Sequence, residues 1–398
     1  MQDYKELMTD GNALFRGLLK AVNGSKWKES SQRSLLSSLK IVFNLARMLS
    51  NETYKSNRQD TFIIHERGRL RSIDSYNVND RTVRHVLCDE IINPLINKKI
   101  IYDNGASIKG KGISFTRKRF EAHLRKYYMH YGNNDGYILF GDFSKYYDNI
   151  LHSVAKEQLL KLVNYDPFIK WLLDIIFKSF EVNVDGLTDS QIHDLYYGVL
   201  NKLDYNPKNS NANHTIKKSI SIGDQLSQSI GVYYPHRIDN YIKIVRSQKY
   251  YGRYMDDWYI ISNSKEELLD ILNGIIKISD ELGLHVNLKK TRIVKMSSTY
   301  KFLQIRYTLT NSGKVIKRIN PRRVTTMRRR LKRQTKKVFE GSIDYYNIEN
   351  MFKSWMGSFY KLLSKQQREH LIFLYEQLFN KKIYITNGKM IVTEEESI

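Results

Sequence analysis

The 398-residue sequence predicts an α+β protein, and three observations predict it. Long segments with apolar residues at three- and four-residue spacing alternate with short apolar runs of strand length. Two of those short runs meet carboxylates, at Asp142 and at Asp256–Asp257. A strongly basic stretch near the C-terminal end stands apart by composition and returns to helical spacing.

The elements follow in order. Residues 1–56 read as helical, with GNALFRGLLKAV and SLLSSLKIVFNLARML carrying the apolar spacing. Residues 60–76 read as two short strands around a turn at Gly68. Residues 80–101 and 115–131 return to helical spacing, and the basic face at 117–126 is a candidate contact surface. Residues 136–150, GYILFGDFSKYYDNI, read as a buried strand running into a turn, and a helical stretch follows to about 180. Residues 182–218 are polar and read as an exposed loop or insertion. SIGDQLSQSIGVYYPHRIDNYIKIV reads as a glycine turn opening a helix, and KYYGRYMDDWYIISNS as a hairpin. Residues 265–283 are an amphipathic helix, and 284–309 read as further strands. Residues 314–337 hold twelve basic and no acidic residues. If 322–337 is a helix, the basic residues around it argue against a simple core helix. Residues 343–380 resume helical spacing.

Charge narrows the function. Lys and Arg number 65 against 41 Asp and Glu, a net +24 that suggests a polyanionic partner, nucleic acid first. The 28 tyrosines suit base stacking, whereas solvated lysines on an ordinary surface are the plainer alternative. The single cysteine, Cys88, excludes an intramolecular disulfide and a cysteine-based zinc site. No apolar run reaches the ~18 residues of a membrane span. The first residues carry acids where a secretory signal is basic, so the expectation is a soluble intracellular protein.

Asp142 ends an apolar strand, and Asp256 and Asp257 sit between two such strands. A carboxylate at the end of a buried strand is costly unless it is paired or binds a metal. Three of them on adjacent strands suit two hard cations such as Mg²⁺, able to activate a primer 3′-hydroxyl and stabilise leaving pyrophosphate.

At this point the motifs resemble a known family. RYMDD at 253–257 resembles the signature of reverse transcriptases. DFSKYYDNI (142–150), SIGDQLSQ (221–228), LHVNLKKT (284–291) and YKFLQIRY (300–307) resemble the family's first, second, fourth and primer-grip blocks, in its order. FIIHERGRLRSIDSYNVNDRTVRHVL resembles its fingers, and the resemblance covers roughly residues 50–310. It implies a right-hand polymerase fold: an N-terminal helical extension over 1–56, fingers and palm over 57–309, and a basic helical thumb over 310–398. It implies two Mg²⁺ ions, with Mn²⁺ as a substitute, held by Asp142 and Asp256 with Asp257 in support. Tyr147 would lie under the incoming sugar and exclude a 2′-hydroxyl. Arg71, and less directly Arg69, would reach the triphosphate, since a guanidinium fork binds two phosphate oxygens. Lys290, beside Lys289, would protonate pyrophosphate or hold phosphates. Gly223 would open the helix facing the template–nucleotide pair, with Ser227 and Gln228 touching template or minor groove. Arg322, Arg323, Arg328, Arg329, Arg330, Lys332 and Arg333 would track the primer–template backbone, as salt-dependent contacts.

The pattern Ile222-Gly223 followed by Ser227-Gln228 resembles the diversity-generating retroelement branch, where an aliphatic residue replaces glutamine and adenines are copied with low fidelity. Gln can hydrogen-bond near the nucleotide, and Ile222 cannot. Two positions depart from that pattern: Ile220-Ser221 replaces the usual Leu-Pro, and Gln304 stands where glycine is common. A bacterial defence enzyme of the abortive-infection or unclassified kind, making repetitive or untemplated DNA, is therefore the close alternative. A group II intron-like enzyme, an RNA-templated RNA polymerase and a non-catalytic RNA-binding scaffold are further ones. Expected partners are an RNA template, a DNA or RNA primer, dNTPs, a dedicated noncoding RNA and a small basic accessory protein, in a bacterial or phage-encoded cytoplasmic setting.

Overall fold

The computed structural model describes residues 3–56, 60–66, 69–183, 186, 188, 190, 215–386 and 389–394. The chain forms two compact units, residues 1–123 with 137–293, and residues 124–136 with 294–398.

The first unit opens with α1 (Tyr4–Thr9), α2 (Gly11–Asn23), α3 (Glu29–Leu36) and α4 (Ser38–Ser50). Asp3 and Asp10 cap α1 and α2, accepting from the amides of Glu6 and Ala13 that would otherwise lack partners. The α2 stripe of Leu14, Leu18, Ala21 and Val22 is buried, as its spacing predicts. Strands β1 (Asp60–Glu66) and β2 (Arg69–Ser75) form an antiparallel hairpin that sets Ile64 opposite Arg71 and Glu66 opposite Arg69. Gly68, the expected turn, lies outside the described residues.

Asn77 caps α5 (Val78–Val86), which passes through a π-helical turn (Leu87–Ile92) into α6 (Asn93–Asn97). α7 spans Ile113–Tyr131, and β3 spans Tyr137–Gly141. The long helical stretch expected to 180 is two helices, α8 (His152–Leu162) and α9 (Pro167–Lys178). They are broken where Asn164 and Tyr165 take positive φ ahead of Pro167. The polar insertion is closed by a short ladder, β4 (Val182–Asn183) against β5 (Thr215–Ile216). Most of what it spans lies outside the described residues.

Then come α10 (Gln225–Tyr233), α11 (His236–Asn240), a π-helical turn (Tyr241–Val245), β6 (Tyr251–Tyr254), β7 (Asp257–Ser262), α12 (Lys265–Glu281) and β8 (Arg292–Lys295). One sheet takes the order β6-β7-β3-β8, with β3 antiparallel to β7 and Gly141 opposite Trp258. β7 is buried after its first residue: Trp258 and Ile260 on one face enter an apolar core with α8, α9, α10 and α12, and Tyr259 on the other packs against Phe120 and His123 of α7. A fully buried aliphatic or aromatic side chain is worth roughly 1.5–3 kcal/mol, so this core fixes the sheet that carries the carboxylates.

The second unit contains a three-stranded meander of β9 (Thr299–Phe302), β10 (Ile305–Leu309) and β11 (Val315–Ile319), then α13 (Pro321–Phe339), α14 (Tyr345–Phe359) and α15 (Lys365–Phe379). A hairpin, β12 (Lys381–Thr386) with β13 (Lys389–Glu394), ends the described chain. Two features differ from expectation. The start of the basic run is a strand. The basic helix is also amphipathic: Val324, Met327 and Leu331, at spacings of three and four, enter a core with Phe352, Met356 and Tyr375. Basic residues therefore surround a stripe that is nonetheless buried.

Candidate active site

Asp142 follows directly on β3 and is only 6% exposed. The backbone beyond it pairs with the segment before Lys290: Asn287 N–H donates to Asp142 O at 2.8 Å, and Ser144 N–H to His285 O at 2.8 Å. This pairing brings Lys290 onto the carboxylate, where its ammonium ion-pairs with Asp142 Oδ2. Asn287 Nδ2 stands 3.5 Å from the same oxygen.

Tyr254 pairs with Asp257 across the β6–β7 hairpin, so Met255 and Asp256 are its two turn residues. Met255 has φ +57° and Asp256 does not share that sign, the sign pattern of a turn whose first central position is usually glycine. Asp256 is half-buried and Asp257 exposed. Burial, then the negative charges of Asp257 and Asp142, push the Asp256 carboxyl up to about 7, and it shares a hydrogen bond with Asp142. The three carboxylates therefore repel one another across a small space, and hard oxygen donors in that state suit divalent cations. Among the described residues no three His, Cys, Asp or Glu groups already stand in ligating geometry, and Lys290 supplies the positive charge on Asp142.

Tyr147 opens a 3₁₀ turn (Tyr147–Asn149), and its Oη lies 3.7 Å from Met255 Sδ. Burial, then the charge of Asp256, push its hydroxyl well above the usual tyrosine value. Gly231 on α10 backs both groups. A Cβ there would lie 3.0 Å from Tyr147 Oη and 3.2 Å from Met255 Sδ, so a glycine permits this close approach.

Gly223 precedes α10 at φ +107°, a conformation that favours glycine, and faces Ile73 of β2. Ile222 is half-buried beside it. Asp224, which sequence reasoning missed, caps α10 through the Ser227 amide and pairs with Arg84 at 3.2 Å, both groups buried. Its signal was present, an Asp placed to accept from the amide three residues on. Ser221 Oγ and Tyr76 Oη share a hydrogen bond of 2.5 Å, so the residue in place of the usual proline is built into the fold.

Of the expected template pair, Ser227 is wholly buried whereas Gln228, turned by about 100° around α10, is exposed. Gln228, Gly223, Arg81, His85 and Lys20 line a cavity of about 580 Å³. Arg69 and Arg71 lie on β2, but their side chains fall outside the described residues. The basic face of α7 is partly committed: Arg119 pairs with Asp103 at 2.5 Å, and His123 Nδ1 meets the Tyr259 hydroxyl at 2.9 Å.

In the second unit, Arg322, Arg328, Arg329, Arg330, Lys332 and Arg333 are exposed. Arg323 differs, donating to Gln304 Oε1 at 2.5 Å and lying over the Phe359 ring. Gln304 takes φ +75° in the β9–β10 turn, consistent with the glycine common at that position, and its amide holds an arginine instead.

The family model described as reverse transcriptase (RNA-dependent DNA polymerase) matches residues 63–307, more than half of the chain. None of the curated proteins compared matches. Three telomerase structures are similar. The apo enzyme of Candida tropicalis truncated from its C-terminal domain has 11% identity, covers 65% of this chain and 54% of that one, and gives a TM-score of 0.42. The apo enzyme of the same organism has 14% identity, 66% and 48% coverage, and a TM-score of 0.41. The Candida albicans enzyme with a fragment of telomeric RNA has 13% identity, 83% and 62% coverage, and a TM-score of 0.44. The chain thus spans about half to three-fifths of the length of these telomerases. Among the described residues no helix is long and apolar enough to cross a membrane. With the family model matching more than half of its length, this chain belongs to the reverse transcriptase (RNA-dependent DNA polymerase) family.

Proposed function

We propose that this chain copies a dedicated structured RNA into DNA, using Asp142, Asp256 and Asp257 as the carboxylates of a two-cation centre. One observation carries the reading: β3 and the β6–β7 turn set Asp142 and Asp256 within hydrogen-bonding reach of each other beside Asp257, and burial with these charges pushes the Asp256 carboxyl up to about 7, so added cations would let it ionise. Two Mg²⁺ ions, with Mn²⁺ as a substitute, would supply activation of the primer 3′-hydroxyl and neutralisation of the departing pyrophosphate. The chain's own groups do the rest. Lys290 releases Asp142 and turns to phosphate oxygens, holding or protonating the leaving group. Tyr147, braced by Gly231 and Met255, excludes a 2′-hydroxyl. Arg71 and Arg69 grip the triphosphate, and Gly223 with Ile222 borders the nascent pair. Gln228, rather than buried Ser227, meets the template. The exposed arginines and lysines of α13 bind the backbone of primer–template or structured RNA.

Ile222 favours the diversity-generating reading, because an aliphatic side chain gives no hydrogen bond to the nucleotide. Ser221 and Gln304 favour a defence enzyme as the second reading, since both departures are integrated through Tyr76 and Arg323. Sequencing the RNA and cDNA that co-purify separates the two. Changes concentrated at template adenines support the first; a faithful, repetitive or untemplated product supports the second. A primer extension that Asp256→Ala leaves intact would sink the catalytic assignment.

A further inference from the structure

Arg253 and Asp239 form an ion pair with side chains about 1% and 2% exposed. Arg253 Nε donates to Asp239 Oδ1 at 3.0 Å and Nη2 to Oδ2 at 2.7 Å, a fork-to-fork geometry. Burying such a pair costs about as much desolvation as it returns, and well-packed apolar replacements are often neutral for stability. The pair's other bonds point to a different use. Arg253 Nη2 donates to Val232 O, near the end of α10, at 2.8 Å, and Nη1 donates to Met255 O, in the catalytic turn, at 3.1 Å. The Tyr251 hydroxyl donates to Asp239 Oδ1 at 2.5 Å and helps aim the carboxylate.

We propose that Arg253 and Asp239 are positioning residues for DNA synthesis. The buried pair ties the Met255–Asp256 turn to α10, and thereby sets where the Asp256 carboxylate stands relative to Asp142 and Tyr147. The turn needs such a tie, because Met255 takes φ +57° without being glycine. α10 is a suitable anchor, since its Gly231 backs Tyr147 and Met255. The inference rests on Asp256 being a cation ligand.

The test replaces both charges at once in the full-length chain, Arg253→Met with Asp239→Leu, leaving no unpaired buried ion. The thermal midpoint should stay near that of wild type. kcat should fall on the order of 100-fold, the cost of about 1 Å of misplacement, while KM for dNTP moves by less than about threefold. Mn²⁺ binding to the protein alone, followed by electron paramagnetic resonance, should weaken in parallel. Arg253→Lys, which keeps the charge but not the fork, should remain impaired in kcat. A double variant that fails to fold, or that folds with normal kcat and Mn²⁺ binding, overturns the proposal. Asp256→Ala is the control on the underlying reading. If it keeps Mn²⁺ binding, the ligand assignment falls and takes this inference with it. If it loses Mn²⁺ binding while the double variant does not, only the positioning role falls.

Discussion

Arg253 in the first unit and Arg328, Arg329 and Arg330 in the second carry the same side chain into opposite surroundings. Arg253 is buried, with its donors directed at a carboxylate and two carbonyls. The three arginines of α13 are exposed on the far side of a helix whose other face is apolar. A charge held by several fixed acceptors gives direction, so losing it moves neighbouring atoms. A charge in water gives a field, whose worth depends on salt and on how many like charges stand nearby. The first unit should therefore fail in rate, and the second in affinity.

The sharpest way to break that contrast is Asp256→Ala. Loss of a cation ligand removes several kcal/mol of transition-state stabilisation, about a thousandfold or more in kcat, with primer–template affinity nearly unchanged. Single-turnover extension beside a binding isotherm measures both.

Acid comes next. His85, His123, His152, His236 and His285, all in the first unit, are held below the usual histidine value, each chiefly by burial. His152 is lowest, at about 4, where burial and Lys217 outweigh its bond to Ser219 O. These histidines bind more protons unfolded than folded between about 4 and 6.5, so their contribution to stability falls as pH drops through that window, while Asp256, held up to about 7, works in the opposite direction. His152 alone accounts for on the order of 3 kcal/mol. Urea unfolding at pH 7.5 and pH 5, for wild type and His152→Gln, should show a pH penalty that the variant reduces. Hydrogen exchange should place the first acid-induced opening in the first unit.

Replacing Arg328, Arg329 and Arg330 with Gln should weaken nucleic-acid binding about tenfold or more. The slope of log affinity against log salt should fall by roughly 0.7–0.9 for each phosphate no longer neutralised, at constant kcat. A reduced kcat here would mean that the second unit also directs chemistry.

The smallest effect is expected from Gly231→Ala. The added methyl must displace Tyr147 or Met255 by a few tenths of an ångström, a strain of about 1 kcal/mol. KM for dNTP should rise a few-fold and the ratio of dNTP to NTP use should change, whereas template affinity should not.

Much of the first unit was legible because its signals are local. A buried strand ending in Asp142, and a hairpin with two carboxylates at its tip, declare themselves within a dozen residues. Lys290 on Asp142 was not legible, because backbone pairing between 142–144 and 285–287 creates it. The Arg253–Asp239 pair joins residues on opposite sides of a π-helical turn, where charge patterning along one helix face says nothing. In the second unit, Lys317 and Arg318 masked the strand Val315–Ile319 within a basic run. The terminal hairpin did have a signal in the sequence: Asn387-Gly388 between two short apolar runs, Ile383-Tyr384-Ile385 and Met390-Ile391-Val392.

The ladder of Val182 with Ile216 and Asn183 with Thr215 has a practical consequence for anyone labelling this protein. It pins both ends of the intervening segment side by side. Once ends are pinned, doubling the length between them costs only about 0.6 kcal/mol in closure entropy. A fluorescent tag or affinity handle inserted between these two strands is therefore cheap in closure entropy.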